Sequence, residues 1–147
     1  MSEQVEYFED IDIGDEVEEI EICPTTEDVV RYVTVAHMQS GRFTDDEYAR
    51  NEGLAGAIIP GNMNLGFLSR MITDFFPKGV LKTITANFRA TVPHHIPLIC
   101  SGVVTEKTEQ DGENLVFCDV LLSNEDGDRY VQGTAQIALP KRNQSLA

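Results

Sequence analysis

Apolar and polar residues follow a helical spacing in the first half of the chain and alternate in the second half. Residues 15–22 alternate charged and apolar positions before Pro24, which predicts a first strand. Thr25 and Asp28 then resemble a capping box, and the apolar residues after them recur at helical spacing. This spacing predicts a helix over residues 26–38.

Two further helices are predicted before the alternation begins. Thr44 and Glu47 form a second capping-box pair, and Gly53 ends the short helix that they start. The segment 61–77 carries two neighbouring apolar rows at i, i+4 spacing and ends at Pro77. The rows are Phe67, Met71 and Phe75, and Leu68, Ile72 and Phe76. This apolar stripe is wider than the stripe of a surface helix, so we expect a central, buried helix.

From residue 79 onward the chain alternates as strands do. The apolar face of segment 79–92 consists of Val80, Ile84, Ala86, Phe88, Ala90 and Val92, and the polar face of Thr83, Thr85, Asn87, Arg89 and Thr91. Segments 97–108, 115–122 and 129–139 predict three more strands, joined by turns with Asp-Gly steps. We therefore predict an α+β fold in which an antiparallel four-strand meander helps to wrap a curved sheet around one long helix.

The charge of the chain is concentrated at its N-terminal end. The formal net charge is −14, and residues 1–30 contain 12 of the 25 acidic residues and none of the 11 basic ones. We interpret this acidic block as a solvated surface. The balance argues against general nucleic-acid binding, whereas the nearly neutral remainder could offer a local basic patch to an anionic ligand.

Length and cysteine content narrow the class of protein. A chain of 147 residues fits a single domain. No apolar run reaches the length of a membrane span, and the N-terminus lacks the pattern of a signal peptide. Cys23, Cys100 and Cys118 are odd in number and far apart, so we expect buried thiols in a reducing cytoplasm rather than a disulfide framework or a metal site.

Four stretches carry a family pattern in the same order along the chain. They are YFEDIDIGDEV, TDDEYARNEGLAGAIIPGNM, LKTITANFRATVP and NEDGDRYVQGTAQIALP. Together they resemble the MaoC-like, (R)-specific enoyl-thioester hydratase family. The second stretch is similar to the family's H-x-D-x-x-Y-A segment and to the glycine that heads its long helix. The resemblance covers nearly the whole chain and implies a hot-dog fold.

The catalytic signature of that family, D-x-N-P-x-H-x-D-x-x-Y-A, is altered in this chain. When the signature is anchored on its last three defined positions, its histidine falls at Phe43 and its first aspartate at Met38. The anchoring residues are Asp45, Tyr48 and Ala49, and the asparagine and proline positions hold Ser40 and Gly41. The resemblance therefore implies that both acid–base groups of the family are absent.

Hydration of an enoyl thioester needs a base for the attacking water, an acid for Cα and hydrogen-bond donors for the thioester oxygen. In the family a His/Asp pair moves the protons, a contribution of about 10²–10⁴-fold, and a backbone N–H at a helix N-terminus binds the oxygen. Phe43 and Met38 can transfer no proton, whereas Gly61 keeps the family's place at the head of the long helix. Gly61 and Asn62 are therefore the predicted thioester-binding residues.

Two side chains close to the altered signature are candidates to replace the lost pair. His37 precedes the aspartate position and Asp45 follows the histidine position. As structural residues, they would instead stabilise the end of one helix and the start of the next.

His94 and His95 stand where the family has Gly-Asp. Because the sequence offers no third ligand at a typical spacing, we interpret them as turn residues rather than metal ligands.

Three basic residues are candidates to bind the phosphates of an anionic carrier. Arg42 lies within the altered signature, and Lys82 and Arg89 lie on the long predicted strand. Each of them could equally be an ordinary surface charge. No cofactor is expected, and the implied ligand is a thioester of coenzyme A or of an acyl carrier protein.

Three functions fit these residues. The one we favour is a catalytically degenerate subunit that pairs with a catalytic hot-dog chain to form an enoyl-CoA hydratase of fatty acid or steroid metabolism. The second is a complete homodimeric hydratase or dehydratase, or a thioesterase, that uses relocated groups. The third is a ligand-binding protein without chemistry. Because a hot-dog sheet leaves an edge that needs cover, we expect a homodimer or a heteromer.

Overall fold

The computed structural model describes residues 4–143 as one curved sheet, a small two-stranded sheet and four helices. The helices are α1 (Thr26–Val35), α2 (Gly41–Thr44), α3 (Asp46–Asn51) and α4 (Gly61–Phe75). The strands are β1 (Glu16–Ile22), β2 (Ile58–Ile59), β3 (Val80–Phe88), β4 (Val92–Pro93), β5 (Leu98–Gln110), β6 (Glu113–Asn124) and β7 (Arg129–Ala138). A 3₁₀ turn spans Phe8–Asp10.

The main sheet is antiparallel, with the strand order β1-β5-β6-β7-β3. Strands β5, β6 and β7 form a meander as predicted, but the fourth strand of the prediction, β3, pairs with β7 rather than with β5. The predicted meander order is wrong because the chain leaves the sheet after β3. It forms β4, which pairs with β2, and re-enters the main sheet as β5 beside β1.

The predicted strand over residues 79–92 is divided in the structure. Strand β3 ends at Phe88, and Val92 belongs to β4 in the small sheet. A register shift between Leu81 and Thr83 turns Leu81 toward the core and leaves Val80 half exposed. The alternation was therefore predicted correctly for Ile84 and Ala86, which pack against the core, but wrongly at both ends of the segment.

One face of α4 packs against the inner surface of the main sheet. Four residues of this face and many strand residues form a single hydrophobic cluster. These four residues are Leu68, Met71, Ile72 and Phe75, and strand members include Cys100, Val120, Leu122, Val131 and Ile137. Met63 of α4 and Val29 and Val33 of α1 belong to the same cluster. A Cβ built on Gly102 would lie 3.4 Å from Met71 Cε and 3.1 Å from the Asp119 carbonyl oxygen, so this glycine permits the close approach of α4. The result is the hot-dog arrangement that the resemblance implied.

The N-terminal acidic segment is paired in part rather than fully solvated. Glu6 contacts Lys78 at 3.0 Å, and Asp10 forms an ion pair with Arg142. The Lys107 ammonium donates to the Ile11 carbonyl at 2.6 Å and lies 4.3 Å from the centre of the Phe8 ring. The acidic side chains of this part, Glu6, Glu9 and Asp10, are exposed as predicted, and cations from later elements pair with some of them at the surface.

The cysteines divide into two kinds. Cys100 and Cys118 are buried, and burial raises the pKa of each thiol to about 12. Cys23 is exposed, so the expectation of a buried thiol is wrong at this position, which lies just beyond the end of β1. Among residues 4–143, no helix is long and apolar enough to cross a membrane.

Replacing Ile72 by alanine should lower the free energy of unfolding by about 2–5 kcal/mol, because the side chain is fully buried between α4 and the sheet. Urea denaturation measures the change. Thr73→Ala, on the exposed face of the same helix, is the matched control and should stay within about 0.5 kcal/mol of the unmodified chain. Equal losses in both variants would contradict the packing described for α4.

Candidate functional site

The end of α1 determines where the residues of the altered signature lie. Helix α1 stops at Val35, three residues before the predicted end, because His37 adopts a left-handed conformation with φ 56°. The Met38 N–H donates to the Val33 carbonyl at 2.9 Å, and the His37 N–H donates to the Thr34 carbonyl at 3.4 Å. These two bonds form a Schellman motif. His37 is the residue that reverses the chain, and its side chain is exposed.

Met38 and Phe43 are both half buried and pack against the hydrophobic core. Met38 follows the left-handed residue of the Schellman motif, a position where an apolar side chain commonly contacts the last turn of the helix. Phe43 lies on the single turn of α2, which the sequence did not predict. The two positions that hold the acid–base pair in the family signature therefore contribute packing in this chain.

Asp45 is the N-cap of α3. Its Oδ1 accepts hydrogen bonds from the Glu47 N–H at 2.9 Å and the Tyr48 N–H at 3.2 Å. The predicted capping box of Thr44 with Glu47 is wrong, because Thr44 belongs to α2 and the helix starts one residue later. The capping box of Thr25 with Asp28 at the start of α1 is confirmed.

A hydrogen-bonded cluster joins α1 to the turn between β4 and β5. The Thr26 hydroxyl lies 2.9 Å from His94 Nδ1 and 2.9 Å from His95 Nε2. His94 Nε2 lies 3.1 Å from the Ile58 carbonyl, which can only accept, so this nitrogen carries the proton. The neutral network is then closed: Thr26 donates to His94, and His95 donates to Thr26. Both histidines occupy the predicted turn and serve to tie elements together.

Asp46 ties α3 to the segment that leads into β2. Its carboxylate accepts a hydrogen bond from the Ala57 N–H at 2.8 Å. This bond, assisted by the positive charge of Arg50, holds the pKa of the carboxyl below its ordinary value of 3.8. Asp46 is therefore ionised at neutral pH and serves as an anchor rather than as a proton donor.

The N-terminus of α4 presents two backbone donors. Pro60 is the N-cap residue, and its carbonyl accepts from the Met63 and Asn64 N–H groups at 3.0 Å and 3.2 Å. Among residues 4–143, neither the Gly61 N–H nor the Asn62 N–H meets a hydrogen-bond acceptor. Gly61 is half buried and Asn62 is exposed. Two free donors at the positive end of a helix form a site for an anion or a polarised oxygen.

Phe88 lies against this helix end, a contact that the sequence did not predict. A Cβ built on Gly61 would lie 3.1 Å from Phe88 Cε1, so the ring approaches as closely as a glycine allows. Phe88 is 53% exposed although it is the last residue of β3. The strand pattern placed this ring on the buried face, and only the pairing of β3 at the sheet edge brings it to Gly61.

A groove of about 580 Å³ runs between α1 and the first half of α4. Its walls are mainly apolar and include Tyr32 and Val35 from α1 and Met63 and Phe67 from α4. Met63, two residues after Gly61 in the chain, is the first residue of α4 that lines the groove. The volume falls within the range typical of small-molecule sites.

The three candidate phosphate-binding residues differ in their partners. Arg42 forms two hydrogen bonds with the Glu52 carboxylate, at 3.1 Å and 3.2 Å, and Lys82 lies 3.0 Å from Glu113. Arg89 is exposed and has no ion-pair partner among residues 4–143. In the same part of the chain, no cluster of three or more His, Cys, Asp or Glu side chains could hold a metal ion.

Comparison with known proteins identifies the fold. No protein-family model and no curated protein matches the chain. The structure is similar to the (R)-hydratase PhaJ1 of Pseudomonas aeruginosa, with a TM-score of 0.83 and 20% identity over 92% of this chain and 86% of that one. It is also similar to a MaoC-like dehydratase of Rhodospirillum rubrum, with a TM-score of 0.81 and 15% identity over 92% and 97% of the two chains.

A third similar structure is a complex of two different proteins. The ChsH1–ChsH2 complex of Mycobacterium tuberculosis matches with a TM-score of 0.76 and 19% identity over 87% of this chain and 98% of that one. At these identities the similarity establishes the shared hot-dog fold, which confirms the fold that the sequence resemblance implied.

Replacing Asp45 by alanine should lower the free energy of unfolding by about 0.5–2 kcal/mol, because two backbone N–H groups of α3 lose their acceptor. Asp45→Asn should preserve most of the stability, because asparagine caps helices about as well as aspartate. Urea denaturation of both variants measures the difference. Equal destabilisation by asparagine and alanine would show that the negative charge, rather than the cap, is what the fold requires.

Proposed function

We propose that this chain is an acyl-thioester-binding hot-dog subunit that lacks its own acid–base pair and completes an enoyl-CoA hydratase together with a catalytic hot-dog partner. The observation that carries the proposal is the packing of Met38 and Phe43 against the core beside a helix N-terminus that keeps its free donors. Similar solved structures include hydratases and a complex of two different chains, which supports both parts of the proposal.

The two side chains that could replace the lost acid–base pair have structural positions. Asp45 directs its carboxylate to two backbone N–H groups, and His37 is the exposed reversal residue of the Schellman motif. A general base must lie within hydrogen-bond reach of the water that it activates. Because Asp45 caps α3 and His37 lies exposed at the chain reversal, we expect the acid and the base to come from the partner.

Thioester binding would use the start of α4. The Gly61 and Asn62 N–H groups can donate to the thioester oxygen, on which negative charge develops during hydration. The acyl chain would extend into the apolar groove that begins at Met63. Arg89 follows Phe88 directly in the chain. Of the three candidate cations, it is the one that forms no ion pair among residues 4–143, so we favour it as the contact for the phosphates of a carrier.

The edge strands differ in their suitability for a partner. Strand β1 carries four glutamates in seven residues, and a row of like charges discourages pairing with another sheet. Strand β3 carries one charged residue, Lys82, and exposes the apolar side chains of Val80 and Phe88. We therefore assign the partner to the edge of β3. A chain docked there would lie next to Phe88 and the free donors of α4, where the missing acid–base groups are needed.

The test of the function is to assay the purified chain alone with crotonyl-CoA. We expect the chain to bind the thioester without hydrating it, and to support hydration when it is purified together with its natural partner. His37→Ala and Asp45→Asn should leave thioester affinity unchanged. Hydration by the chain alone that is lost in either variant would overturn the proposal and establish the complete homodimeric enzyme. Binding without turnover in every preparation would instead establish a ligand-binding protein.

The partner surface is tested with Val80→Lys combined with Phe88→Lys, which adds two charges to the edge of β3. We expect the variant to lose association with its partner chain, or with a second copy, when its mass is measured by analytical ultracentrifugation. Ile13→Lys is the matched control, because Ile13 is also apolar and 63% exposed but lies outside the sheet. Unchanged association of the edge variant would place the partner elsewhere.

A further inference from the structure

The outer face of the main sheet, which points away from α4, carries apolar side chains on the adjacent strands β5 and β6. All four are half buried, and none of them belongs to the core cluster or packs against it within the described part of the chain. The residues that alternate with them, such as Cys100 and Cys118, do belong to the core, so these four point outward. We call them the outer apolar strip: Ile99, Val103, Phe117 and Leu121.

The strip is continuous across the two strands. Leu121 pairs with Ser101, so it lies diagonally between Ile99 and Val103. The solvated face of an antiparallel sheet is normally polar, and the outward residues of β7 and β3 follow that rule. Strands that are apolar on both faces are typical of sheets that are covered on both faces. We therefore expect a second layer over β5 and β6.

Opposite charges stand on the two sides of the strip. Glu21 of β1 pairs with Ile99, Ile99 pairs with Ser123, and Ser123 pairs with Arg129 of β7. These residues form one row across four strands, with an acid at one end and a base at the other. Glu21 and Arg129 are both exposed, and neither forms an ion pair with any residue between 4 and 143.

The charged side chains at both ends of the row point outward. Glu21 lies between two isoleucines of β1 that pack against the core, so its own side chain is on the opposite face. A register shift just before Ser123 turns Arg129 to the outer face. There Arg129 lines a depression of about 690 Å³ together with Leu121.

A two-fold axis parallel to the strands and between β5 and β6 makes this face complementary to itself. Strand β5 then faces β6 of the second copy, so the two strips meet. Strand β1 faces β7 of the second copy, which sets Glu21 opposite Arg129 twice. Packed sheets lie about 10 Å apart, a distance that these two long side chains can span. An axis perpendicular to the strands would instead bring the glutamates of two β1 strands together.

The overlapping area is large enough for a specific interface. Four strands, β1, β5, β6 and β7, overlap around this axis, and they are about 19 Å wide at about 4.8 Å per strand. About eight residues of each strand extend over about 27 Å, so the two copies together bury roughly 1,000 Å², the size at which specific interfaces begin.

We propose that a second copy of this chain packs back to back on the outer face of the main sheet. The outer apolar strips of the two copies form the centre of the interface, and Glu21 of each copy pairs with Arg129 of the other. Strand β3 lies outside the overlap, so its edge stays free for the partner assigned above. The inference therefore stands independently of the proposed function.

The experiment is analytical ultracentrifugation of the full chain that carries Val80→Lys and Phe88→Lys, which block association at the edge of β3. We expect this edge variant to sediment as a dimer. Adding Leu121→Lys should give a monomer, because it places a charge in the apolar centre, and urea denaturation checks that the variant is folded. If the edge variant does not fold, Leu121→Lys in the unmodified chain should halve its mass.

Charge reversal tests the pairing that the register requires. Arg129→Glu or Glu21→Arg alone should raise the dissociation constant of the dimer at least about 10-fold, because each sets like charges together at two places. The two reversals combined should restore most of the affinity. Glu27→Arg and Arg31→Glu, at exposed positions of α1, are the matched controls and should leave the dissociation constant unchanged.

Three results would overturn the inference. A monomeric edge variant would show that no second copy covers the strip, and that a different protein or solvent does. A dimer that is indifferent to Leu121→Lys would place the interface on another surface. Single reversals that weaken the dimer no more than the α1 controls, or a double reversal that restores nothing, would exclude the pairing of Glu21 with Arg129.

Discussion

The rest of the structure depends on the burial of α4 inside the curved sheet. Its apolar stripe is enclosed by inner-face residues of the sheet, so the axis and the rotation of the helix are fixed by packing. A helix held in this way has its first turn fixed as well. The Gly61 and Asn62 N–H groups are held in this turn by the packing of the helix and have no backbone acceptor among residues 4–143. Preorganised backbone donors of this kind need no rearrangement when a ligand oxygen arrives.

The elements around this helix end follow from the same constraint. The small sheet of β2 and β4 lies just before α4 and holds Pro60 at the N-cap position. The Thr26, His94 and His95 cluster ties this small sheet to α1 through the Ile58 carbonyl, and Asp46 ties α3 to the same segment through Ala57. These polar side chains could be taken for catalytic groups, but they hold the segments around the start of α4 in place. The hydrogen-bond donors of the candidate site itself are backbone atoms.

Most of the fold could be predicted from the sequence, because the apolar spacing of α4 and the alternation of β5, β6 and β7 are dictated by what each element buries. The order of the strands could not be predicted, because no local pattern indicates that β3 pairs with β7. The end of α1 was also missed, because a histidine at a left-handed position carries no signal of the kind that glycine would give.

In the site, Gly61 was predicted from its place before an apolar run. The contact of Phe88 with Gly61 depends on a distant element, so the sequence alone could not reveal it.

Met38 and Phe43, which stand where the resembled family signature has its acid–base pair, serve the packing of the domain. Ionisable groups at these positions would need hydrogen-bond partners or solvent, since an unpaired buried charge is strongly destabilising. Met38 and Phe43 avoid this cost, because both side chains are apolar and pack against the core.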